Sequence, residues 1–551
     1  MVRSFANRER LTAACCALAV VLGSAGLAVA APADPGLPHL VRNGDHHALI
    51  VDGAPYLILG AQANNSSNWP SQLPKVWPAI EQLHANTLEI PVAWEQVEAR
   101  EGQFDFSYVD TLLAQAREHR VRLVLLWFAT WKNNGPNYAP EWVKLDNKRF
   151  PRVINAKGET VGSLSPLVPA TLDADRKAFV ALMRHLKQAH PQHTVIMVQP
   201  ENETGTYGAI RDHSAAAETL FAGPVPAPLL KALKKAPGTW SQVFGKEAEV
   251  SFHAWYVASF VQQVAAAGKA EYPLPLYVNA ALRDPFHDQD PMTYSAGGPT
   301  WNVLDIWKAA APAIDLVGPD IYMRDQASYL KTLDQYARPD NALFVPETGN
   351  DIGYAHNLFS VLGRHGIGFA PFGMDFTGYS NYPLGAKAVD APTLQAFASL
   401  YGTLNPMARD WARLASEGEV WGVAQPDKDE KQHLGLGRWD ATVSYGEWQF
   451  GSKDMTWMGK VDRPSENPAK GGVLIARLGP DEYLLIGQRA RISFGLPDKG
   501  KAAGWTYARV EEGHYQDGRW VFERLWNGDA TDWGLNFTDT PQVLRVRLAT
   551  Y

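Results

Sequence analysis

The chain has 551 residues, too many for one compact core of ordinary size, and its 46% hydrophobic and 20% charged content is that of a soluble globular protein with two or more domains. A formal net charge of -7 without any basic stripe argues against a nucleic-acid partner and favours an uncharged ligand. The 19 Trp and 20 Tyr supply flat apolar faces that fill cores or stack on the C–H faces of sugars.

Arg3, Arg8 and Arg10 precede an apolar run over 11–29 that ends in Ala28-Val29-Ala30 before Ala31-Pro32, the pattern of a secretory signal with cleavage after Ala30. Both cysteines, Cys15 and Cys16, fall inside residues 1–30, so a mature chain would carry no thiol. The expectation is a bacterial periplasmic or secreted protein held together by its core, with no membrane contact after signal removal.

From His47 onward, strand-like and helix-like stretches alternate. A hairpin turning at Asp52-Gly53 leads into a strand at 56–59, and further strands read at 87–91, 122–128, 194–198, 274–278, 315–317, 342–345 and 368–372. Amphipathic stretches at 106–119, 174–190, 253–267, 303–310, 328–336 and 355–365 separate them. Eight such alternations predict an α/β fold, a (β/α)8 TIM barrel over 38–400. A doubly wound sheet would need a glycine-rich phosphate loop after an early strand, and the sequence has none. The stretch 204–251 is too long for an ordinary connection and should shape the barrel mouth. After a helix-like segment at 393–416, short β segments separated by turns predict an all-β sandwich over 419–551, a structural buttress or a sugar-binding module.

Two glutamates end apolar strand-like runs: Glu203, in Glu201-Asn202-Glu203-Thr204-Gly205, and Glu347, in Val345-Pro346-Glu347-Thr348-Gly349. Either alone would read as a strand-end residue paired to a nearby cation. At the ends of barrel strands four and seven they face one mouth, and two carboxylates about a sugar are the minimal equipment for glycoside hydrolysis. Glu201 points away from Asn202, as the strand period of two demands. Gln62, Asn64 and Asn65, just past strand one, are candidate sugar ligands or, equally, loop residues capping a helix.

The segment Glu201-Asn202-Glu203-Thr204-Gly205 resembles the strand-four motif of glycoside hydrolase family 35, the β-galactosidases. Residues 86–98 and 101–106 are similar to the second-strand region of that family and of family 42, and the likeness extends over 47–380. The resemblance implies a retaining, exo-acting β-galactosidase of the TIM-barrel glycosidase clan. In it Glu203 is acid/base, Glu347 nucleophile, Asn202 the partner of the sugar 2-hydroxyl, and Tyr322, in Gly318-Pro319-Asp320-Ile321-Tyr322, the hydrogen-bond donor to the nucleophile. The implied substrate is a terminal β-galactosyl residue of plant hemicellulose, xyloglucan-type oligosaccharides included. Family members carry a glutamate after strand three that grips galactose hydroxyls; this chain has Thr130-Trp131-Lys132-Asn133-Asn134 there, with Trp131 a candidate sugar platform. That departure leaves open a retaining glycosidase for another sugar, an arabinoside or a glucoside, and a non-catalytic sugar-binding barrel.

No cofactor or metal is expected. His46-His47 is an adjacent pair unsuited to one ion, and neither an H-E-x-x-H helix nor a G-x-S-x-G elbow occurs.

Overall fold

The computed structural model describes residues 36–551 apart from 190–191, 429, 448–450, 452–458, 460–468, 498–503 and 517. The signal-like segment with Cys15 and Cys16 therefore lies outside the described residues.

Eight parallel strands form one sheet: β1 (Ile58–Gln62), β2 (Thr87–Ala93), β3 (Arg122–Lys132), β4 (Val195–Asn202), β5 (Tyr277–Ala281), β6 (Leu316–Ile321), β7 (Phe344–Thr348) and β8 (Gly368–Pro371). The sheet closes on itself, since β8 pairs with β1 and Val198 of β4 bridges to Leu276 beside β5, its N–H donating to the Pro275 carbonyl at 3.0 Å. This is the TIM barrel that the spacing of apolar runs predicted. Helices wrap it outside, among them Ser107–Glu118, Pro169–Ala189, Ala248–Glu271 and Gln326–Tyr336. Their apolar stripes and the outward residues of the strands make one continuous core.

Inside, Ile58, Val124, Leu126, Phe128, Ile196, Leu316 and Phe344 fill the lower lumen. Leu49, Val51 and Tyr56 join that cluster from an antiparallel meander, His39–Asn43, His46–Val51 and Ala54–Tyr56, which plugs the N-terminal end. The fill leaves the C-terminal mouth as the open end. The long stretch after β4 contains helices Ala215–Ala222, Ala227–Leu233 and Trp240–Phe244.

The segment read as one helix at 393–416 is two, Ala391–Leu404 and Ala408–Glu417, interrupted by a 3-10 turn at Asn405–Met407 where Pro406 cannot supply an N–H. Beyond it lie a six-stranded and a four-stranded antiparallel sheet. Along Gly472–Gly479 the side chains alternate: Val473 and Ile475 face a core with Trp439, Tyr483, Ile492 and Leu544, between the sheets. Leu474 and Ala476, with Leu484, Ile486 and Val543, face the other way and merge with the core of the barrel's helical layer. At that junction Gly363 and Gly422 bring two backbones together so closely that a Cβ on either would drive into main chain.

Candidate active site

The mouth is built from strand ends, each contributing through the period of two. Asn202 ends β4 and Glu203 follows it, with Glu201 and Glu203 at φ of 67° and 44°. Non-glycine residues in that left-handed region are uncommon, and two flanking one asparagine mark a backbone bent for the purpose of aiming side chains. Gly205, at φ 123°, lies so close to the β5 loop that a Cβ would sit 2.8 Å from the Ala296 carbonyl. Backbone hydrogen bonds exchanged between Thr206 and Ala296, at 2.9 and 3.1 Å, pin the bend there.

Glu203 and Glu347 are brought together as the sequence implied, and a third carboxyl joins them. One oxygen each from Glu203, Asp320 and Glu347 lies within 4.8 Å of the other two. Asp320 is the register neighbour of Glu347 across β6 and β7. Asn279 of β5 ties the group together: its Nδ2 donates to Asp320 Oδ2 at 2.7 Å, while its Oδ1 accepts from the Glu203 backbone N–H at 2.9 Å. Tyr322 donates to Glu347 Oε1 at 2.5 Å and Gln62 Nε2 donates to Oε2 at 3.2 Å, so both Glu347 oxygens are held. Lys132, the register partner of Asn202 and itself buried, donates to Asn202 Oδ1 at 2.8 Å and to the neighbouring Asn133.

Electrostatics follow from three acids and one cation in a confined space. Burial, and then the charge of Glu203, push the Glu347 carboxyl up to about 7, against the pull of Lys132, Tyr322 and Gln62. Burial, then Glu347 and Glu203, hold Asp320 well above the usual carboxylate range. The same burial and like charge therefore disfavour a third negative charge between the two glutamates. Beneath them burial likewise raises the Glu89 carboxyl well above its ordinary range, against the pull of Tyr277, which donates to its Oε2 at 3.2 Å. The three mouth oxygens are also the one group among the described residues able to offer a cation three ligands; two donors already occupy Glu347, and Lys132 supplies positive charge beside it.

Several buried polar atoms here lack a protein partner: Asn202 Nδ2, Asp320 Oδ1 and Glu89 Oε1. An unsatisfied buried polar group costs about 1–3 kcal/mol, a cost that a ligand hydroxyl would relieve. The rim is apolar and flat. Trp69, Tyr207, Phe286, Phe376, Tyr379 and Tyr382, all in loops after barrel strands, are each more than a third exposed.

Two residues chosen from sequence, Trp131 and Asn64, are placed differently. Trp131 is not a platform: its ring is fully buried edge-on to Phe260 of the helical layer, 5.0 Å between centroids, because Lys132 takes the lumen side and the strand period turns Trp131 outward. Asn64 is a clamp, its backbone N–H and Nδ2 donating to the two oxygens of Asp375 at 2.8 and 2.9 Å. Asn65 is half-buried beside it with an unpartnered Oδ1. Glu201 faces away from the mouth and shares a hydrogen bond with Asp175; burial, and then that neighbour, raise its carboxyl well above the ordinary range. Lys132, Asn279 and Asp320 were missed as site residues, although Asp320 stands two positions before Tyr322, on the same strand face.

Residues 397–538 match a family described as a domain of unknown function (DUF5597). No curated protein matches the chain. Among solved structures it is similar to β-galactosidase from Bacillus circulans sp. alkalophilus, at 14% identity and a TM-score of 0.46, covering 66% of this chain and 61% of that one. It is similar to β-galactosidase from the psychrophilic Marinomonas ef1, at 13% identity and a TM-score of 0.47, covering 66% and 62%. The catalytic domain of β-amylase from Paenibacillus polymyxa gives 13% identity and a TM-score of 0.45, covering 62% and 96%. The chain thus spans about three fifths of the length of the two galactosidases.

Proposed function

We propose that the chain is a retaining exo-β-galactosidase that removes terminal β-galactosyl residues from hemicellulose oligosaccharides outside the cytoplasm. The observation that carries the reaction type is the spacing of Glu203 and Glu347. Oxygens within 4.8 Å of each other favour a double displacement, for which carboxyl groups stand about 5–5.5 Å apart, over inversion, for which they stand about 6.5–9.5 Å apart. The choice of galactose and the exo action rest on the motif around Glu201-Asn202-Glu203 and its family resemblance.

In the first step a Glu347 oxygen attacks the anomeric carbon while Glu203 gives its proton to the glycosidic oxygen, so the leaving alcohol departs neutral and a glycosyl ester remains. In the second, Glu203 takes a proton from water, whose oxygen attacks the same carbon and returns Glu347 as carboxylate. Asn202 Nδ2 is the free donor for the 2-hydroxyl, held in orientation by Lys132 at its other end. Tyr322 and Gln62 favour the ionised nucleophile.

Replacing Glu203 by Ala tests this directly. Hydrolysis of oligosaccharides should fall by about 10^2–10^4-fold, that of aryl galactosides with good leaving groups far less, and azide should restore turnover with a β-azide product. An α-configured product from the unmodified enzyme would overturn retention. The Lys132-Asn133 corner, where family members carry a galactose-gripping glutamate, favours a second reading, a retaining glycosidase for arabinosides or glucosides, and an aryl-glycoside panel separates the two.

A further inference from the structure

The C-terminal sheets contain a cleft of about 480 Å³, within the size range of small-ligand sites, that no catalytic role explains. Its walls are Trp505 and Tyr507 at the start of strand Trp505–Gln516, Trp526, and the Trp533 loop, with Asn527 and Thr531 among them. Flat rings interleaved with amides and hydroxyls are what a pyranose requires, rings against its C–H faces and short polar groups for its hydroxyls. Among the described lining residues only Asp532 carries a charge, which disfavours an anionic ligand.

The cleft is also rigidly built. Trp533 is 51% exposed, yet its carbonyl accepts from Nη1 of the buried Arg491 at 2.8 Å. The next residue, Gly534, has φ 86° and packs so tightly that a Cβ would lie 2.9 Å from the Ile492 carbonyl. Trp526 Nε1 donates to Glu512 at 2.7 Å, and the Trp505 ring stands edge-on between Trp439 and Tyr507. A half-exposed indole on a loop whose backbone is held by a buried arginine sits on a pre-organised base, and pre-organised surfaces lose little entropy on binding.

We propose that this cleft is a second, non-catalytic site that holds a neutral polysaccharide chain, with Trp533 as its main stacking face. The site is independent of the barrel mouth, and its test is made on the full chain silenced by Glu347→Gln so that the polymer is not consumed. Native electrophoresis through gels containing galactoxyloglucan, β-1,4-galactan or hydroxyethylcellulose should retard this chain in at least one neutral polymer. Adding Trp533→Ala should weaken the interaction about tenfold or more, while Trp533→Phe, which keeps a flat ring, should retain most of it. Circular dichroism melts of the three chains check that the loop change leaves the fold intact. Retardation unchanged by Trp533→Ala, retardation in polygalacturonate alone, or none in any gel would each overturn the proposal. Loss of aryl-galactoside hydrolysis in the unmodified enzyme would instead overturn the reading of the mouth and leave this result standing.

Discussion

The end of β4 carries two pairs of acids, one on each face, and they differ in almost every respect that matters. On the lumen side Glu203 approaches Glu347, with Glu203 partly open to solvent, a lysine close by and buried polar atoms unanswered. On the outer side Glu201 meets Asp175 in a sealed setting. There the Trp131 backbone N–H donates to Glu201 at 2.7 Å, and Trp127 Nε1 and Thr130 donate to Asp175 at 3.0 and 2.5 Å. Proximity of two carboxyls therefore does not make a reactive site. Access, a cation and unspent hydrogen-bonding capacity separate the pair that can work on a substrate from the pair that braces a strand.

The sharpest way to break this contrast is Glu347→Gln, which should lower turnover of aryl and natural substrates alike by on the order of 10^4-fold or more, since in the proposed reaction no other group takes the glycosyl unit. Lys132→Met should cost about a hundredfold in kcat/KM through loss of Asn202 orientation and of the cation that favours ionised Glu347. Because the proposed reaction needs Glu347 ionised, kcat/KM of the unmodified chain should rise with pH through about 7. Removing the lysine should move that limb upward. Tyr322→Phe should act in the same direction with about a tenfold loss, and stopped assays over pH 5–9 measure both.

The outer pair should answer only in stability. Glu201 carries a folded-state pKa raised well above its ordinary 4.5, so the folded chain holds a proton that the unfolded chain releases. Its contribution is intact below about 4.5 and is lost as pH rises toward the folded value, by about 1.4 kcal/mol per pH unit. Glu201→Gln, unable to ionise, should leave kcat within about threefold and raise the melting temperature at pH 8 relative to the parent while changing it little at pH 5, as thermal melts will show. A large rate loss from Glu201→Gln would dissolve the distinction between the two faces.

Much of this was legible in the sequence because barrel strands are buried on both sides and read as apolar runs, so all eight could be located and the two glutamates assigned to strands. Helix Leu73–Leu83 was not, since Pro74 and Pro78 look like breakers; the first sits in the opening turn, where its missing N–H costs nothing. Strands Gln432–Gly435 and Leu535–Phe537 were too short to register. At the mouth, Gln62 and Tyr322 were found, and both touch Glu347. Asn279 and Asp320 were invisible because their meaning comes from a bridge across neighbouring strands. Trp131 misled because composition suggested a stacking ring, whereas one position of strand register decided which face it took.

The outer face of the six-stranded sheet, with Leu474, Ala476, Leu484, Ile486 and Val543 set into the barrel's helical layer, bears on how the two parts could ever be separated. A cut at the start of the first sandwich strand would uncover greasy surface on both fragments, so neither should survive as a soluble recombinant piece. The recurring family segment begins at residue 397, inside helix Ala391–Leu404, and so carries part of that layer with it.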